Sequence, residues 1–171
     1  MGKYDEKSFL SIYYLMNRPL GIDLFAGAGG MSLGFEQAGF DIVASVELDP
    51  IHAAVHAFNF PICHMLPRSV ISLTGAGIRS AAGIGSKPVD VVFGGAPCQG
   101  FSMIGQRLLD DPRNQLVKEF VRLVVELEAK YFVFENVKGL TVGKQRQLLV
   151  DRKGLLGPLQ VIVFEFIFEA Q

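Results

Sequence analysis

Four short, mostly apolar runs punctuate this chain, at residues 20–25, 41–46, 89–93 and 131–134. Each is apolar nearly throughout, the pattern of strands buried on both faces. Helical patterns occupy residues 31–38, 51–58 and 115–129 between them. The last is the clearest: Leu116, Phe120, Val124 and Leu127 share one face, with Lys118, Glu119, Arg122 and Glu126 off it. Asp110-Asp111-Pro112 supplies start signals just ahead of it. Strands alternating with helices in this way predict an α/β fold, a mostly parallel sheet covered by helices on both faces. Ligands of such sheets gather at the carboxyl ends of the strands.

The remaining segments are less regular. Residues 66–87 are rich in Gly, Ser and Ala and read as a weak strand near Val70-Ile71, then loop or short helix. Residues 1–19 form a lead-in, an amphipathic stretch closed by Asn17-Arg18-Pro19, and residues 20–171 form the domain proper. A chain of 171 residues, half of them hydrophobic, has enough apolar material for one core. Two cysteines make no disulfide framework, which points to a reduced, cytoplasmic setting. The acid-bearing N-terminus reads as no signal peptide, and charges interrupt every apolar stretch, so no membrane role is expected.

Three stretches carry chemistry. Asp23-Leu24-Phe25-Ala26-Gly27-Ala28-Gly29-Gly30-Met31-Ser32 lies on the first strand-to-helix turn, where glycines let backbone amides approach a ligand. Glu47, twenty residues beyond Gly27 at the end of the second strand, suits hydrogen bonds to a ribose. Together they indicate an adenosine-type cofactor without choosing which. A strict dinucleotide fingerprint asks for glycine where Ser32 stands.

The second stretch, Gly94-Gly95-Ala96-Pro97-Cys98-Gln99-Gly100-Phe101-Ser102, sets a cysteine on a stiffened turn after a buried strand. A thiol so placed is positioned to react, given a neighbour that favours thiolate. Residues 99–113 behind it are long and polar enough for a mobile lid. In the third stretch, Glu135-Asn136-Val137, an acid leaves a parallel strand toward the same crevice as Cys98. Its apolar approach favours the protonated form and suits it to donate a proton. His52 and His56, four apart, with Cys63 and His64 nearby, only imitate a metal site, and no metal is expected.

These motifs resemble those of the DNA cytosine-5 methyltransferases. Asp23–Ser32 looks like their cofactor turn, Glu47-Leu48-Asp49 like their second motif, Gly94–Ser102 like their Pro-Cys motif and Glu135-Asn136-Val137 like their Glu-Asn-Val motif. Asp111-Pro112-Arg113-Asn114-Gln115-Leu116 is similar to the segment between the last two.

The resemblance implies a Rossmann-like methyltransferase fold, S-adenosyl-L-methionine as cofactor and a flipped cytosine in double-stranded DNA as substrate. By the same resemblance Cys98 attacks C6 of the base and Glu135 holds and protonates N3. Phe25 stacks near the adenine, Glu47 binds the ribose, and Ala26, Gly27, Gly29, Gly30, Leu48, Val70, Pro97 and Leu116 complete the cofactor pocket. Gln99, Ser102, Arg113 and Asn136 belong to the substrate side and its closing loop.

Two departures from the family pattern stand out. An acid that the family places after its third strand, for the adenine amino group, corresponds here to Ser69. The family's arginine-bearing Gln-x-Arg-x-Arg motif, target-recognition region and C-terminal helix are expected beyond Gln171, leaving the fold incomplete at the C-terminus. The net charge of −1 agrees with the loss of DNA-gripping surface, and residues 161–168 become an aggregation-prone apolar strand.

The first reading is therefore a DNA cytosine-5 methyltransferase, working with a complementing C-terminal chain if split. The alternative is a non-catalytic remnant that keeps a nucleotide-binding core. A nicotinamide oxidoreductase rests on the glycine turn and Glu47 alone. DNA is favoured over tRNA as substrate, and a link to a restriction enzyme stays open.

Overall fold

The computed structural model describes residues 18–97 and 115–135. Five strands build one parallel sheet: β1 (Leu20–Leu24), β2 (Asp41–Val46), β3 (His64–Leu66), β4 (Val91–Gly94) and β5 (Tyr131–Phe134). The helices are α1 (Gly30–Gln37), α2 (Pro50–Asn59), α3 (Gly75–Ala81) and α4 (Gln115–Glu126), with a 3-10 turn at Val70–Ser72. Strand order is β3-β2-β1-β4-β5, with every pairing parallel. The chain winds outward from β1 to β3, then crosses back to place β4 on the other side of β1. The junction of β1 and β4 is thus the point where the winding reverses, the usual seat of a ligand in open α/β sheets.

Each face of the sheet has its own apolar layer, because successive strand residues point to opposite sides, and a register shift in β2 opposite Gly21-Ile22 puts Ile42 on the face away from Ala44. Ile22, Leu24, Ala44, Val46 and Val92 face the side covered by α3 and α4, where they meet Ile78, Phe120, Leu123, Val124 and Leu127. Ile42, Val91 and Phe93 face the other side, with Phe60, Cys63, Met31, Phe35 and Phe40. Phe93 is fully buried, and its ring stacks on Phe35 of α1 at 3.9 Å between centroids. Truncating a buried aromatic of this kind costs about 3–5 kcal/mol.

Local sequence explains the helix starts. Asp49 caps α2, its Oδ1 accepting from the amides of Ile51 and His52 at 2.8 and 3.0 Å. These amide bonds, that of His52 foremost, hold the Asp49 carboxyl below its ordinary range. Pro50 follows at the first helical position, where its missing N–H costs nothing. Thr74 caps α3 through its hydroxyl, which accepts from the Gly77 amide at 3.1 Å.

Residues 66–87 depart from the sequence expectation. Val70-Ile71 lies in the 3-10 turn and is not a strand, whereas the strand on that side is the three-residue β3, just before it. Arg122 of α4 fixes this region. Its Nη2 donates to the carbonyls of Val70 and Leu73 at 3.1 and 3.0 Å, while its other nitrogens pair with Glu119 and Glu126. Glu126 in turn accepts from the Gly75 amide at 2.7 Å, tying α4 to the start of α3.

Candidate active site

The strand register sets the site. Leu24 pairs with Val46 on one side and with Gly94 on the other; Val46 pairs with Leu66, and Gly94 with Phe134. The last residues of all five strands therefore stand in one row across the carboxyl edge. Glu47, Phe25, Gly95 and Glu135, each the next residue in its segment, line the crevice above that row.

At the centre, Phe25 turns the chain out of β1 with φ of 63°, and the turn closes with the Gly29 amide donating to the Ala26 carbonyl at 2.9 Å. Gly29 sits in the left-handed region at φ 99°, as the residue that caps α1. A side chain there would run into the ring of Phe60, just past α2, and would be strained at this φ, so both space and backbone favour glycine. Glu47 is tied to this turn: its Oε2 accepts from the Gly27 amide and its Oε1 from the Asp49 amide, both at 2.8 Å. Each carboxylate oxygen keeps a second lone pair for a ligand hydroxyl. Leu48, beside it, is 69% exposed, an apolar side chain left open at the crevice rim.

On the other side of β1 the crevice holds Gly95, buried Ala96, exposed Pro97 and exposed Glu135. The Glu135 amide donates to the Gly94 carbonyl at 3.0 Å, continuing the β4–β5 ladder by one residue. Its carboxylate lies over Gly95, where an added β-carbon would come within 2.6 Å of Oε2.

A family model for C-5 cytosine-specific DNA methylase matches residues 20–153. The chain belongs to the C-5 cytosine-specific DNA methylase family. Type II methyltransferase M.XorII of Xanthomonas oryzae pv. oryzae is 68% identical over 136 residues, covering 80% of this chain and 32% of that protein. Type II methyltransferase M1.HphI of Haemophilus parahaemolyticus is 44% identical over 161 residues, covering 90% of this chain and 43% of that protein. The chain thus spans less than half the length of these curated relatives.

Among solved structures, a prophage-encoded protein of E. coli described as a DNA modification methyltransferase aligns with a TM-score of 0.69 and 39% identity, over 81% of this chain and 37% of that one. A DNMT2 variant from Spodoptera frugiperda aligns at 0.57 and 29%, over 78% and 40%. The fold expected from the sequence, a Rossmann-like methyltransferase sheet, is the one these neighbours share with this family member.

Within this methylase domain, Phe25, Ala26, Gly27, Gly29, Gly30, Glu47 and Leu48 come together at the end of β1 and β2. Pro97 and Glu135 gather at the ends of β4 and β5. Leu116 is half-buried on the first turn of α4 and packs against the core beneath. Val70 keeps its side chain out of solvent. It is 3% exposed, packed into the core under α4, and its carbonyl is taken by Arg122. Ser69 caps the 3-10 turn, its hydroxyl accepting from the Ile71 amide at 3.3 Å. Cys98, Gln99, Ser102, Arg113 and Asn136 lie outside the described residues, as do the lead-in before Arg18 and residues 161–168.

Glu135 is exposed, and among the described residues its sequence neighbours Phe132 and Phe134 turn toward Phe120 of α4. The histidines also separate. His52 is exposed, whereas His56 is fully buried against Phe60 and turned to Ser32. Cys63 is buried beside the Ser45 hydroxyl at 3.1 Å, and burial pushes its thiol up to about 11, the state of an inert core thiol. Among the described residues, no group of three or more His, Cys, Asp or Glu is placed to hold a metal. No helix there is long and apolar enough to cross a membrane.

One relationship in the site, the meeting of Asp23, Ser32 and His56, was not anticipated in the sequence reading. Asp23, at 1% exposure, accepts from the Ser32 hydroxyl at 2.7 Å, and Ser32 stands 3.2 Å from His56 Nε2. Burial pushes the Asp23 carboxyl up to about 7, against the pull of its Ser32 hydrogen bonds. Burial pushes the His56 imidazolium down. The available signal was Ser32 itself, a hydroxyl standing where an α/β turn often carries glycine.

Proposed function

We propose that this chain is the cofactor-binding and nucleophile-bearing part of a DNA cytosine-5 methyltransferase. The observation that carries the reading is the single row of Glu47, Phe25, Gly95 and Glu135 across the carboxyl edge, with the Glu47 carboxylate oriented by the Gly27 and Asp49 amides. That donor and acceptor set fits S-adenosyl-L-methionine. Glu47 would take the ribose hydroxyls, the 25–30 turn would face the amino-acid end, and Phe25 and Leu48 would border the adenine. The cofactor supplies an electrophilic methyl group on a sulfonium.

The protein's task is to make C5 of cytosine nucleophilic. Cys98 as thiolate would add to C6 of the flipped base, pushing electron density toward C5, while Glu135 holds and protonates N3 to accept that density. After methylation, loss of the C5 proton and expulsion of Cys98 restore the aromatic ring. Flipping is required because C6 is out of reach inside a stacked duplex. The family model, described as a C-5 cytosine-specific DNA methylase, supports DNA as the substrate. Gln99, Ser102, Arg113 and Asn136 are assigned to the substrate side on the motif resemblance. A soluble, cytoplasmic setting accords with this chemistry.

Calorimetric titration with S-adenosylmethionine, beside Glu47→Ala, tests the cofactor half. Saturable binding that weakens at least tenfold in the variant supports the reading, and a folded chain that binds none sinks it. Methyl transfer to DNA, with the remaining two-thirds of a relative such as M.XorII supplied as a second polypeptide and Cys98→Ser as control, tests the catalytic half. Transfer that survives the Cys98→Ser change would overturn the assigned nucleophile.

A further inference from the structure

His56 is fully buried, yet its ring meets a hydroxyl, not only carbon. The groups it belongs to are all sealed from water: Asp23 at the end of β1, Ser32 in the first turn of α1 and His56 on α2. Ser32 carries one hydroxyl proton. With Asp23 ionised, that proton goes to Oδ2 at 2.7 Å, since a carboxylate can only accept. The Ser32 oxygen is then an acceptor toward His56, so Nε2 must carry the ring proton at 3.2 Å. His56 Nδ1 has no partner among the described residues. An orphaned ring lone pair costs less than an orphaned buried N–H, which agrees with a neutral ring protonated at Nε2. The chain of donors therefore runs in one direction, from α2 through α1 to β1.

That chain brackets the glycine turn. Asp23 precedes the turn and Ser32 follows it, so pulling the two together fixes the span between them. The same end of α2 supports the turn from below. Asn59 Nδ2 donates to the Ala28 carbonyl at 3.2 Å. His56 Cδ2 and the Phe60 ring fill the space a side chain on Gly29 would need. Within the turn itself, a single backbone hydrogen bond joins Gly29 to Ala26. Its shape is therefore set mainly by what lies around it.

We propose that His56 is a positioning residue for cofactor binding, holding the 25–30 turn in its ligand-accepting shape through the hydrogen-bond chain to Ser32 and Asp23. This rests on the reading of that turn as the cofactor turn. A merely structural histidine would be replaceable by any ring that packs on Phe60. A positioning histidine needs its Nε2–H.

The test uses the full chain at pH 8, with His56→Phe, which keeps a ring without a donor, and His56→Gln, whose amide can present an N–H where Nε2 stands. Two readouts are taken: the amide resonances of Gly27, Ala28 and Gly29, and the affinity for S-adenosylmethionine. The Phe variant should shift all three amides and weaken binding about tenfold, the worth of one buried hydrogen bond, and the Gln variant should restore both. Unchanged amides and affinity in His56→Phe, or equal losses in Phe and Gln, would overturn the proposal. If the wild-type chain binds no cofactor, the amides alone decide. A shift in Phe that Gln reverses sustains the positioning role while the cofactor reading fails. Should His56→Phe not fold, Ser32→Ala breaks the same chain with little change in volume and must shift the same amides.

Discussion

The carboxylate of Glu135 lies directly over the backbone of Gly95, so close that a β-carbon at residue 95 would stand 2.6 Å from Oε2. The two residues sit just past paired strand ends, and the Glu135 amide is anchored on the Gly94 carbonyl. The backbone of Glu135 is thus fixed while its side chain depends on the absence of one at residue 95. Gly95→Ala should swing the carboxylate away without reaching Glu47 on the far side of β1. We expect methyl transfer by the complete enzyme to fall about 100-fold, the usual effect of misplacing a catalytic group by about 1 Å. Affinity for S-adenosylmethionine should stay within about twofold, since no cofactor contact changes. Steady-state transfer assays and calorimetry separate the two, and an equal loss in both would point to a collapsed crevice instead.

Arg122 makes the second prediction. One guanidinium serves two carboxylates and the carbonyls of Val70 and Leu73, at a part-buried seam between α4 and the 3-10 turn. Arg122→Met keeps the apolar stem and removes every donor. Two carbonyls lose their partners, and charge-assisted bonds of this kind are worth about 1.5–3 kcal/mol each before water compensates them. Urea unfolding should show a net loss of about 2 kcal/mol. Arg122→Lys should recover little, because an ammonium cannot reproduce the planar fork. Full recovery in the lysine variant would mean that charge alone matters there.

The parts of this molecule that could be read from its residues are those set by local pattern. β2 and β5 fall where their apolar runs lie, and α4 begins at Gln115 as its periodicity requires. That Glu47 and Glu135 emerge at the carboxyl edge was legible because the residue after a parallel strand must do so. β3 was not legible. His64-Met65-Leu66 is too short to show a period and ends at Pro67; it is a strand because β2 offers it a parallel partner. The Asp23–Ser32–His56 chain was hidden for a related reason. It depends on how α2 is rotated toward α1, and spacing four residues apart set His56 beside His52, which in the fold is exposed.

Ser69 makes the third prediction. Its hydroxyl caps the 3-10 turn that follows β3, at the position the motif resemblance pairs with an acid. Aspartate caps as well as serine, so Ser69→Asp should leave the turn intact and add a carboxylate for an adenine amino group. Cofactor affinity should tighten by about tenfold, the value of one charged hydrogen bond. Ser69→Ala, which loses the cap and adds nothing, should weaken it slightly. If Ser69→Asp and Ser69→Ala bind alike, this turn does not border the adenine.

Asp23 makes the last prediction, through pH. Burial raises its carboxyl from 3.8 in an open chain to about 7 in the fold. The folded state therefore holds this proton more tightly than the unfolded state. Between about pH 4 and 7 the fold carries more protons, and stability attributable to Asp23 is lost as pH rises through that window. A shift of this size corresponds to about 4 kcal/mol once the group is fully ionised. His56 works in the opposite sense. Its folded value lies below 6.5, so its contribution is lost as pH falls through that range, and the wild-type profile blends the two. Asp23→Asn removes only the first component. The amide oxygen still accepts from Ser32, and nothing remains to ionise. The stability of Asp23→Asn relative to wild type should therefore climb from pH 4 to about 7.5 and level off above it, in urea titrations run at each pH. Parallel curves for the two proteins would show that Asp23 ionises in the fold as freely as it does in water.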